Sequence, residues 1–211
     1  MARTNRLEFS LLAGLVVLLT WSGIRPHDYP TWALEVAPAV IGVGICLGTF
    51  RTYRLTRLTY CLIAFHAAIL IVGGHYTYAE VPIGNWAQEQ WGLSRNHYDR
   101  VAHFIQGFVP AIIAREILIR SSPAKRGGWL FYFVISICIA ISAVYELVEW
   151  GVAEVAEAGS TAFLGTQGDI WDTQKDMALC SVGAVVSLLS LGRWHDHQLA
   201  TLASTGQAAA S

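Results

Sequence analysis

Charge is what this sequence lacks most. Asp, Glu, Lys and Arg make up 14% of its 211 residues, against about 25% in a soluble globular domain. The signs nearly cancel: 14 basic and 15 acidic residues leave a net charge of -1. That removes the basic excess expected of a nucleic-acid-binding chain. The four cysteines, Cys46, Cys61, Cys138 and Cys180, form no CxxC pair and sit in or beside apolar runs, so they read as small buried residues and not as a disulfide framework. No HExxH zinc motif is present. Gly165 and Gly168 are not followed by GK[ST], which excludes a nucleotide loop. No internal repeat is evident.

What is present is apolar. Hydrophobic residues reach 54%, with eight Trp and eight Tyr, and the mean hydropathy is positive. A spanning helix needs about 20 mostly apolar residues, and six segments qualify: Leu7–Ser22, Trp32–Phe50, Leu58–Tyr76, Tyr98–Ile119, Trp129–Ala153 and Asp176–Trp194. The first follows basic residues as a signal peptide would, but lacks a small-x-small cleavage site and reads as a retained helix. Pro110 predicts a kink in the fourth. Trp21, Trp32, Trp129, Trp150 and Trp194 fall near proposed helix ends, the usual place of an interfacial belt.

Basic residues alternate between the links. Arg3 and Arg6 precede the first helix, Arg51, Arg54 and Arg57 fill the second link, Arg120, Lys125 and Arg126 the fourth, and Arg193 closes the sixth helix. The other links hold fewer, so both termini are expected in the cytoplasm. The expected fold is an all-α, polytopic membrane bundle: one six-helix domain over 1–194, then a disordered cytoplasmic tail over 195–211. The amphipathic link from Thr77 to His97 predicts a short surface helix or cap.

With that topology the polar residues converge at the outer boundary. Asp99 and His103 are four apart, Glu146 and Glu149 three apart, and Asp169, Asp172 and Asp176 precede or open the last helix. Each of the first two sets shares one helical face, and the three aspartates do so if the last helix starts early. Ionisable groups at membrane depth are expensive unless paired, hydrated or metal-bound. These seven residues are therefore candidate ligands for a divalent metal (Zn, Mn, Fe or Mg), with Glu146 and Asp169 as candidate general bases. The plain structural reading sets caps and ion pairs against this, with Arg100 and Lys175 as partners. Three polar sites elsewhere read as structural. His66 reads as a core histidine, Arg115 as snorkelling to the headgroups with Glu116 paired to Arg115 or Arg120, and His195, Asp196 and His197 as solvated in the tail.

The segments "YDRVAHFIQGFVPAIIAREIL", "YELVEW" and "GTQGDIWDTQKDM" resemble the YjdF-like family of uncharacterised bacterial inner-membrane proteins. That resemblance implies a multi-helix inner-membrane fold and no particular reaction. Asp99, Arg100, His103 and Phe104 are also similar to the Asp-Lys-x-x-His-Phe segment of VanZ-like proteins, with Arg in place of Lys. Cys180 stands where that family has Asn. This likeness implies a cell-envelope role. The functional expectation is a metal-dependent hydrolase or transferase acting on a lipid-linked or envelope substrate, with membrane lipids as partners. An ion- or proton-coupled transporter and a structural or accessory subunit are the alternatives.

Overall fold

The computed structural model describes residues 5–155 and 166–210. Among them there are seven α-helices and no strand: α1 Arg6–Ser22, α2 Tyr29–Thr49, α3 Arg57–Tyr76, α4 Pro82–Trp91, α5 Tyr98–Ser121, α6 Gly128–Val155 and α7 Asp172–Ala210. Five of them, α2, α3, α5, α6 and α7, are long and apolar enough to cross a membrane. The expected first span forms as α1 but has 17 residues. At 1.5 Å per residue it is about 25 Å long, short of the roughly 30 Å hydrocarbon core.

Helix starts follow their local chemistry. The Asp28 carboxylate caps α2 by accepting the Thr31 N–H at 2.8 Å, and the Thr31 hydroxyl together with that N–H holds its carboxyl below the usual carboxylate range. Thr56 caps α3. The link between α3 and α5 folds into a 3-10 turn, Tyr78–Glu80, and the short helix α4, as its amphipathic pattern predicts. α4 stops at Gly92, whose φ of 61° is costly for other residues.

The bundle has two packed groups. α1 and α2 lie on α3 around Val36, Ala39, Ala67 and Ile71. α5, α6 and α7 pack around Ala111, Val134, Cys138, Cys180 and Ala184. Contact between α3 and α5 joins the groups. The tightest pairing is α5 on α7. A Cβ on Gly107 would fall 1.8 Å from the Cys180 carbonyl oxygen, and one on Gly183 would fall 2.0 Å from that of Phe104. Small residues let these backbones meet without intervening side chains.

The tail differs from its sequence expectation. α7 does not end at Trp194 but continues to Ala210. His195 is fully buried and Leu199 nearly so. His195 lies 3.2 Å from Glu116 and 3.0 Å from Arg115, while Asp196 accepts from Arg115 and Arg126, both at 2.8 Å. These bonds hold the helix past the point where its composition turns polar. They also correct the readings of Arg115 as a snorkelling side chain and His195 as solvated. Glu116 pairs with Arg120 at 2.8 Å as expected, yet it also accepts from the Thr56 and Thr59 hydroxyls.

Gly183→Val is expected to destabilise the bundle by about 1–3 kcal/mol through overpacking against α5. Thermal unfolding followed by size-exclusion chromatography in detergent measures it, and the exposed Gly14→Val in α1, whose Cβ meets nothing within 4 Å, should leave the midpoint unchanged.

Candidate functional site

Two loops align the helices that carry the site. Asn96 and Gln167 exchange bonds: the Asn96 N–H donates to Gln167 Oε1 at 3.0 Å, and Gln167 Nε2 donates to the Asn96 carbonyl at 2.9 Å. Arg95 donates to the Thr166 carbonyl at 3.2 Å. The chain before α5 is thus tied to the chain before α7, so both helices begin at one level. Gln167 and Gly168, at φ 47° and 85°, make the turn. Gly165, the other expected turn-former, lies outside the described residues. Asp169 Oδ1 then accepts the Trp171 N–H at 3.1 Å.

The acids divide into two groups. Asp169 and Asp172 are taken up by bases. Asp169 accepts from Arg100 and from Lys175, each at 2.5 Å. The Lys175 and Trp171 bonds hold the Asp169 carboxyl below its usual range. Asp172 is 4% exposed and accepts from Arg95. Arg95 and Arg100 in turn press the His97 imidazole toward its neutral form, adding to the effect of burial.

The second group lies deeper. One ligand atom each from Asp99, His103 and Asp176 falls within 4.8 Å of the others, and all three side chains are buried. Ligand atoms at about 2.2 Å in a tetrahedral site are about 3.6 Å apart, so closing on one ion would draw the three side chains together. His103 Nε2 is 3.4 Å from Asp99. Its Nδ1 is 2.8 Å from Gln106 Oε1. The bond to Gln106 fixes the ring and turns Nε2 toward Asp99, the orientation that a metal-binding histidine uses.

Glu146, on α6, closes the third side. Its Oε1 lies 3.8 Å from His103 Nδ1 and has no hydrogen-bond partner. The Thr173 hydroxyl bonds the same carboxylate. Asp176 Oδ1, 98% buried as a residue, is likewise without a hydrogen bond. Glu149 is part-exposed one turn along, within electrostatic reach of His103, Glu146 and Asp176. A buried polar atom left without a partner costs about 1–3 kcal/mol, more when charged. Two such carboxylate oxygens beside one imidazole mark a place where a cation or a proton would be stabilised.

Sequence reasoning missed two contributors. Glu35, in α2, is 2% exposed with Oε2 unbonded, and it stands within electrostatic reach of Asp99. A lone acid in the run "WALEVAPAV" was the available signal. The other is Arg95, which is 95% buried and joins Asp99, at 3.5 Å, to Asp172.

The model for the family described as a predicted membrane protein, DUF2238, matches residues 7–197. The chain belongs to this family. It is 49% identical to the inner membrane protein YjdF of Escherichia coli (strain K12) over 185 residues, 88% of each chain. No solved structure matches it. The chain is accordingly a multi-pass inner-membrane protein. Neither the family match nor this relative supports the likeness to VanZ-like proteins.

Arg95→Met should lower stability by about 3–5 kcal/mol, because it leaves two buried carboxylates without their cation. Arg100→Gln, at a more exposed pair, should cost about 0–1 kcal/mol. Chemical unfolding in mild detergent compares the two.

Proposed function

We propose that Asp99, His103 and Asp176 bind a divalent cation, with Glu146 beside it as general base. In this reading the protein is a hydrolase or transferase acting on a lipid-linked or envelope substrate. One observation carries it: three buried ligand atoms from two helices lie within 4.8 Å of one another, and Asp176 and Glu146, both close to His103, each keep a buried oxygen without a hydrogen bond. Imidazole with carboxylates suits Zn, Mn or Fe better than Mg. Such an ion would supply a Lewis acid and a water acidified to near neutral pH. Glu146, beside His103 with an unbonded oxygen, would be the residue placed to accept a proton from the nucleophile. Arg100, part-exposed near the cluster, is placed to neutralise a phosphate or carboxylate brought against it.

Three basic links meeting at one end of the bundle support a six-crossing topology with both termini cytoplasmic. Arg54 bonds Asn5 and Glu8 ahead of and within α1, and Arg120 donates to the Arg54 carbonyl. At the other end Ser22 bonds the Ile71 carbonyl of α3. α1 therefore runs the height of α3 despite its length. The positive-inside rule places the arginine end in the cytoplasm and the Asp99–His103–Asp176 cluster at the periplasmic boundary.

A proton- or ion-coupled carrier is the second reading, favoured by a separate buried acid–imidazole pair at the arginine end. Glu116 and His195 are both inaccessible to solvent. His66, with a buried unbonded Nε2, stands near the middle of α3.

Elemental mass spectrometry of protein purified without chelator tests the first reading. Near-stoichiometric metal is expected in the wild type, none in His103→Gln or Asp176→Asn, and full occupancy in Asp169→Asn. Gln106→Leu should weaken metal affinity about 10–100-fold by freeing the His103 ring. A folded wild type that binds no metal after loading with Zn, Mn and Mg overturns the metal site. Proton flux in proteoliposomes then decides for the carrier.

A further inference from the structure

One cavity of the molecule lies away from the acid cluster. α1 and α2 both pack on α3 but scarcely touch each other. Toward the arginine end they leave a groove of about 430 Å³, within the size range of small-molecule sites. Its walls are apolar, formed by Phe9, Leu12, Leu15, Val43, Leu47 and Ile63. The groove is lined by the first half of α1, the last part of α2 and Tyr60, Ile63 and Ala64 of α3. Its polar end is built differently from its walls. Arg51 lines it, in the link that follows α2. Two other arginines of that end are engaged: Arg54 with Asn5 and Glu8, and Arg120 with Glu116. Arg51 is exposed and has no ion pair among the described residues.

We propose that this groove is a binding site for an anionic phospholipid. One acyl chain lies between α1 and α2, and the phosphate is held by Arg51. Three features agree on this occupant. The apolar walls exclude a soluble polar ligand. The position of Arg51 just beyond the helix end matches the level of a lipid phosphate. The unpaired guanidinium selects negative charge, as basic pockets at the ends of spanning helices do. Here Glu8 does not oppose the lipid, because Arg54 lies 3.0 Å from its carboxylate. The lipid completes the contact between two helices that the protein leaves apart. The site is independent of the metal reading.

Native mass spectrometry of the delipidated full-length protein, titrated with phosphatidylglycerol or phosphatidylethanolamine, tests it. The wild type should bind phosphatidylglycerol more tightly. Arg51→Gln should weaken that binding about fivefold, the effect of one basic side chain near a membrane surface, and leave phosphatidylethanolamine unchanged. Leu12→Trp, which fills the groove, should lower binding of both lipids. Arg193→Gln, an exposed arginine outside the groove, should change nothing. Equal binding of the two lipids by the wild type, an Arg51→Gln variant that matches it, an Arg193→Gln variant that weakens as much as Arg51→Gln, or a folded Leu12→Trp variant with undiminished binding would each overturn the proposal.

Discussion

Backbone contact between α5 and α7 is the constraint on which the rest of the structure depends. Gly107 and Gly183 let the two helices meet with no side chain between them. That closeness sets Asp99 and His103 on one helix directly opposite Asp172 and Asp176 on the other. Charged groups brought this near in an apolar medium must be neutralised within the protein. The arrangement of Arg95, Arg100 and Lys175 follows from that requirement. These bases neutralise the carboxylates nearest the loops and leave the deeper ones to His103 and to whatever the site binds.

Much of this was legible in the sequence because it is periodic. Five of the six apolar runs form helices of spanning length, since about 20 apolar residues is a requirement of the bilayer and not a preference of the fold. The pairing of Asp99 with His103 was legible for the same reason: residues four apart share a helical face. How the acids divide was not. Arg95 and Asp172 are 77 residues apart, and only the Asn96–Gln167 bonds between loops show why they meet. Glu35 was hidden by the absence of a local partner.

The end of α7 shows the opposite failure. Its composition beyond Trp194 is small and polar, which read as a chain unable to bury enough surface to order. The helix continues because its polar residues have distant partners: His195 and Asp196 meet Arg115 and Glu116 of α5, about 80 positions earlier. Local composition gave the wrong answer where a long-range polar network decided the outcome. The same network draws in α3, since Thr56 and Thr59 bond Glu116.

The polar clamps at both ends of α5 and α7 have a mechanical consequence. One end is tied through Arg95, Asn96 and Gln167, the other through Glu116, His195 and Asp196. Between them the backbones are in contact. The two helices therefore form a single stiff strut that can neither slide nor splay without breaking buried ion pairs. Any gating motion of this protein must then leave that strut whole. α6, which reaches both helices and carries Glu146, packs against it without such clamps among the described residues.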